Sequence, residues 1–175
     1  MSRAVKAPAR KRSFILVGIL FLLVSVIVAR LIPNARLEPD MALILTIYCA
    51  LYMGGWSGML LPLFAGGYVG SFSAFPLEFM VLYPVLYLGI RFVTSFFQLR
   101  FVGYPMLLAL TLEFVVGSIY ALGIYLNHSE VFSSEIVFKI ILTQALLTSL
   151  FLPPVFFLFE RFSRSPFLSF KRALQ

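Results

Sequence analysis

Charge is what this sequence has least of. Asp, Glu, Lys and Arg make up 12% of its 175 residues, against about 25% in an ordinary soluble domain. Several side chains occur only once: Asp40, His128, Cys49 and Trp56. A lone cysteine inside an apolar run allows neither an internal disulfide nor a thiolate cluster, so Cys49 reads as a small core residue. A single aspartate excludes the aspartate-rich metal site that phosphotransfer to lipid head groups requires. A Ser–His pair working inside a membrane needs its histidine within a span, and His128 lies in a polar stretch with no second ligand at metal spacing. No glycine loop ends in Lys-Ser or Lys-Thr, which removes the usual phosphate cradle. The chain is therefore expected to hold no catalytic residue, no cofactor and no metal.

What is present is apolar sequence in long blocks. Hydrophobic residues make up 61% and the mean hydropathy is +1.00. The fifty residues between Asp40 and Arg91 contain one charge, Glu78. A membrane helix needs about 20 apolar residues, so this run must fold back on itself. Uncharged blocks of this length suit helices rather than the alternating strands of a barrel. The expected fold class is an all-α polytopic membrane protein with six transmembrane helices, at 14–32, 41–55, 58–73, 77–97, 103–126 and 136–159. A basic tail, 1–13, precedes this domain and a basic amphipathic tail, 160–175, follows it. Pro33–Asp40 is expected as an outer loop, Trp56–Ser57 as a tight turn, and Pro153–Pro154 as a bend in the last helix.

The distribution of charge orients the spans. Five basic residues precede Phe14, Arg100 lies in the turn at 98–102 with Arg91 shortly before it, and four more follow Glu160, making eleven of the fourteen Lys and Arg. With six spans all eleven fall on one side, which the positive-inside rule identifies as cytoplasmic. Both termini are then cytoplasmic, and the acids Glu38, Asp40, Glu78, Glu130 and Glu135 are expected outside. The net charge of +7 is explained by topology and anionic lipid, so nucleic acid is not an expected partner.

From Leu37 to Leu88 the chain resembles the rod shape-determining protein MreD family. Pro39-Asp40 opens an apolar run, Gly58 and Gly66 stand at the pattern's glycines, and Ser73-Ala74-Phe75-Pro76-Leu77 follows its later part. Two positions depart from the pattern: Gly70 stands where the family has an acidic residue, and Glu78 where it has a glycine after Pro-Leu. The resemblance implies six helices in an arrangement similar to the substrate-binding subunits of energy-coupling-factor transporters. It implies a non-catalytic inner-membrane scaffold that binds MreC. MreB, RodA and its partner transpeptidase belong to the wider assembly, which supports lateral peptidoglycan synthesis and cell shape. The alternative is a vitamin-type binding subunit of an energy-coupling-factor transporter. Such a subunit usually carries an Ala-x-x-x-Ala face on its first helix, which the first apolar block here lacks.

Three sets of residues are candidate sites. Gly58, Gly66 and Gly70, with Pro76 beyond them, offer a small-residue face for another helix of this chain or for MreC, since small side chains let helices approach closely in lipid. Glu113, at the centre of an apolar block, is costly in a bilayer unless paired or hydrogen-bonded. Arg91 and Gln144 are its candidate partners, with Thr143, Thr111 and Ser118 as alternatives. Arg161, Arg164, Lys171 and Arg172, interleaved with phenylalanines, read as a lipid-interface segment. The pairs Tyr48/Tyr52 and Tyr83/Tyr87, four residues apart, are expected to pack in the core with their hydroxyls bonded to backbone.

Overall fold

The computed structural model describes residues 18–19, 39–53, 55–71, 76–96, 103–127 and 133–164. Five helices organise them: α1 (Met41–Tyr52), α2 (Trp56–Ser71), α3 (Pro76–Phe96), α4 (Tyr104–Asn127) and α5 (Ser134–Arg164), with no strand among the described residues. The segments expected at 41–55, 58–73, 77–97, 103–126 and 136–159 correspond to these five. The tail 1–13, the segment 14–32 apart from the helical Gly18 and Ile19, and the tail beyond 164 lie outside the described residues.

Three helices, α3, α4 and α5, are long and apolar enough to cross a membrane. The others are not. At ~1.5 Å per residue, the 12-residue α1 is ~18 Å long and the 16-residue α2 is ~24 Å, against a hydrocarbon core of ~30 Å.

Two boundaries differ from the sequence reading for local reasons. The turn expected at Trp56–Ser57 lies earlier: Met53 is extended and Gly55 takes φ 74°, a left-handed conformation that glycine adopts without a Cβ clash. Trp56 is consequently the first residue of α2. The last helix continues five residues past 159 to Arg164, because Phe-Glu-Arg-Phe contains no helix breaker and Pro153–Pro154 do not end the helix.

The 12-residue α1 is the centre of the bundle. Its sequence, MALILTIYCALY, has no charge, and every residue from Ala42 to Ala50 is buried. A helix that is apolar on all sides needs protein around its whole circumference. The hairpin α2–α3 packs against α1, and α4 and α5 pair with each other and also reach it. Gly18 packs against Leu61 of α2 and Leu45 of α1.

Two glycines set how closely the first hairpin closes. A Cβ at Gly66 would collide with the Phe79 carbonyl oxygen and press on the Met80 backbone of α3, and one at Gly58 would stand 2.6 Å from both Met53 O and Tyr87 Oη. Both belong to the small-residue face read from sequence, and here that face packs inside the chain. Gly70 is buried on the same helix, whereas Gly67 faces open space. Pro76 is the first residue of α3, and its side chain lies outside the described set.

The contrast between neighbouring glycines gives a direct test. Gly66→Ala is expected to destabilise the protein by ~1–3 kcal/mol, the usual range for overpacking against backbone that cannot yield. Gly67→Ala is expected to be neutral or slightly stabilising, since alanine is the better helix former. Thermal unfolding of the two variants in the same detergent measures the difference, and equal melting points would remove the close approach as a constraint.

Candidate functional site

Met41 follows Asp40 and Pro39 directly, and this is why α1 begins where it does. Asp40 has extended backbone (φ −71°, ψ 91°), and its Oδ1 accepts the Leu43 N–H at 2.8 Å. That is a side-chain N-cap, which satisfies one of the donors that a helix start leaves unpaired. The sequence reading placed Asp40 in an outer loop. The structure places it within the bundle, beside Tyr83, the eighth of 21 residues in α3. It also lies beside Thr148, the fifteenth of 31 residues in α5. The N-terminus of α1 is therefore level with the middle of the longest helix.

Four elements converge there. Tyr83 Oη donates to Asp40 Oδ2 at 2.5 Å. The Asp40 backbone N–H donates to Thr148 Oγ1 at 2.9 Å, and Glu113 of α4 lies beside the same Thr148. Asp40 and Glu113 are close enough to repel each other when both are charged, and both fields reach the Tyr83 hydroxyl. Glu113 is 3% exposed and Thr148 and Tyr83 are fully buried. Glu113 Oε2 is buried without a hydrogen-bond partner among the described residues, an omission that ordinarily costs ~1–3 kcal/mol.

Arg91, a candidate partner of Glu113, lies elsewhere. It sits toward the other end of α1, where its Nη1 donates to Met53 O at 3.1 Å and to Tyr87 Oη at 3.2 Å. The buried Tyr87 hydroxyl is also 3.1 Å from Met53 O and 3.0 Å from Gly55 O, so it shares its proton between two carbonyls of the α1–α2 turn. Gln144 is half-buried one helical turn before Thr148. Asp40, Tyr83 and Thr148 lie beside Glu113. Asp40 carried a signal, a capping residue just ahead of an apolar run, and Tyr83 belonged to a noted tyrosine pair. Thr148 carried none.

The remaining candidates are dispersed. Tyr48, Tyr83 and Tyr87 are buried as expected, whereas Tyr52 is exposed at the end of α1. Tyr48 stacks on Tyr52, with ring centroids 4.8 Å apart, and meets Phe156 edge-on at 5.1 Å. Tyr83 bonds a carboxylate instead of backbone. Thr111 bonds back to its own helix at Leu107 O and Leu108 O, and Thr143 to Lys139 O. Cys49 is buried and free. Arg161 is exposed on α5 and Arg164 ends that helix, whereas Lys171 and Arg172, like His128, lie outside the described residues. Among the described residues no three His, Cys, Asp or Glu side chains come together as a metal site.

Comparison of the chain with models of protein families, with curated proteins and with solved structures finds no match.

The cluster makes unequal demands on its two carboxyls. Asp40→Ala removes both the cap and the acceptor of Tyr83, and a loss of ~2.5–4 kcal/mol is expected from a cap of ~1 kcal/mol and a charged hydrogen bond of ~1.5–3 kcal/mol. Glu113→Gln keeps a group that can bond Thr148 and relieves the repulsion with Asp40, so its stability is expected to equal or exceed that of the unmodified protein. Melting temperatures in detergent report both. A Glu113→Gln variant that melts well below the unmodified protein would mean that the carboxyl itself holds the helices together.

Proposed function

We propose that this chain is a non-catalytic scaffold of the bacterial inner membrane, a member of the MreD-like class. In this reading it binds MreC within the rod-shape machinery that also contains MreB, RodA and a partner transpeptidase. The observation that carries the proposal is the use made of the polar residues in and beside the MreD-like stretch. Asp40, Tyr83 and Tyr87 are all engaged in bonds between elements of the chain itself, at Leu43, Thr148, Met53 and Gly55. Such bonds fix the relative placement of helices. The reading is that of a protein whose product is its shape.

The outer faces of α3, α4 and α5 suit this role. Val115, Ile119, Leu122 and Leu126 on α4 are exposed at spacings of three and four, a continuous apolar stripe on one side of a helix. A partner with one membrane span, such as MreC, would pack on a stripe of this kind by dispersion rather than by polar chemistry. Six crossings with both termini in the cytoplasm complete the proposal. The second of them is a half-helix, α1, continued by extended chain at Asp40. Irregular backbone at such a depth is tolerated where protein encloses it.

Affinity purification of the full-length protein in mild detergent tests the assignment. The expected result is recovery of MreC, with MreB or RodA at lower yield, and rounding of rod-shaped cells when the protein is depleted. Purification that yields none of these while cells stay rod-shaped would end the reading. Recovery of a vitamin together with an ATP-hydrolysing partner would move the protein to the transporter class.

A further inference from the structure

The hydrogen bonds of Arg91 engage only part of its guanidinium. Of its five N–H donors, those on Nη1 serve Met53 O and Tyr87 Oη, and Cζ lies 5.8 Å from the centre of the Tyr87 ring. All of these partners are neutral. No carboxylate accompanies Arg91 among the described residues, and its Nε and Nη2 groups carry no bond there. A half-buried guanidinium without a counter-ion favours an anion beside it.

A cavity of about 280 Å³ opens beside this group, lined by Gly55, Trp56, Met59, Tyr87, Leu88 and Arg91. The lining combines a cation, Arg91, and the Tyr87 hydroxyl with the apolar side chains of Met59 and Leu88. The volume falls just below the ~300–1,000 Å³ of typical ligand pockets, enough for a phosphorylated head group without its acyl chains. Those chains have a continuous surface available, because Leu88 both lines the cavity and is 53% exposed, and Val85 and Val81 follow on the same exposed side of α3. Trp56, which also lines the cavity, is 84% exposed, and an exposed tryptophan beside a membrane span favours the level of the lipid head groups.

We propose that this cavity binds the phosphate of an anionic membrane lipid, with Arg91 as its counter-ion and the acyl chains laid along Leu88, Val85 and Val81. The charge asymmetry of the chain assigns this end to the cytoplasmic leaflet, where anionic lipids give the surface its negative potential. The site rests on the membrane placement and is independent of MreC.

Trp56 is the sole tryptophan, so its fluorescence reads the cavity directly. The full-length protein is placed in phosphatidylcholine nanodiscs containing either phosphatidylglycerol or phosphatidylcholine brominated on the acyl chains. Quenching of Trp56 is expected to reach half-maximum at about tenfold less of the brominated phosphatidylglycerol, the factor that ~1.4 kcal/mol of charge-assisted bonding supplies. Arg91→Gln is expected to remove the preference and Lys139→Gln, at the far end of α5, to leave it intact.

Arg91 and Tyr87 also hold the α1–α2 turn, so Arg91→Gln carries a risk of misfolding. Leu88→Glu keeps both Arg91 bonds and brings a carboxylate within reach on the same helix face, where it substitutes for the phosphate. A folded Leu88→Glu protein is expected to lose the preference as well. Equal quenching by the two lipids in the unmodified protein, or a preference that survives in folded Leu88→Glu, overturns the proposal. Loss of the preference on adding millimolar inorganic phosphate at constant ionic strength also overturns it, by making free phosphate the ligand instead of lipid.

Discussion

A helix that starts inside a bundle must find partners for its first N–H groups there, and the bond network around Asp40 follows from that constraint. In water a frayed start is solvated at little cost. In an apolar interior each unmet donor costs several kcal/mol. Asp40 answers this with its own side chain, bonding the Leu43 N–H, and with its backbone N–H, which bonds Thr148. A carboxylate brought to such a depth then needs donors of its own, and Tyr83 supplies one. Thr148 thereby becomes the shared contact of Asp40 and Glu113, so that the start of α1 ties α3, α4 and α5 together. Few alternative packings of these helices would keep all those bonds.

How closely the helices approach is a separate matter, decided by glycine. Gly58 and Gly66 lie where any side chain would strike the Met53 carbonyl, the Tyr87 hydroxyl or the backbone of α3. The order of effects is informative. Close approach at Gly58 brings Tyr87 within reach of the Met53 and Gly55 carbonyls, and those bonds hold the turn from which α2 departs. Small residues and polar residues therefore act in series. The former create the distance at which the latter can bond.

Much of this was legible in the sequence, for identifiable reasons. Helix type and approximate extent follow from uncharged block length, which registers directly in composition. The packing face at Gly58 and Gly66 follows from helical spacing, and the burial of Cys49 from its apolar neighbours. The depth of Asp40 was not legible. An Asp after a proline is an equally good cap for a helix that starts at the membrane surface and for one that starts deep inside, and only the register of α1 against α3 and α5 separates the two. For the same reason Glu113 could be identified as a buried carboxyl but not matched to its neighbours. Thr148 is one threonine among several on α5, and its role depends on the rotation of that helix. The choice between Arg91 and Asp40 as the residue nearest Glu113 is likewise a matter of register, which spacing within one helix does not contain.

The separation of Arg91 from the two carboxylates becomes intelligible through α1 itself. A helix carries about half a positive charge at its N-terminus and half a negative charge at its C-terminus. Asp40 stands at the first of these ends. Arg91 stands at the second, on the carbonyl of Met53, the C-cap residue. Each charge is thus set against the pole of α1 that stabilises it, and direct pairing would forfeit both interactions. The compensation is unequal, however. Half a charge cannot neutralise a whole one, so a residual negative field remains at Asp40, where Glu113 adds to it, and a residual positive field at Arg91. The first lies where α1, α3, α4 and α5 meet, with Tyr83 and Thr148 bonded to Asp40. The second borders a cavity beside the exposed Trp56 and Leu88. An anion is therefore attracted to the end of α1 where Arg91 stands, and the cavity there gives it room.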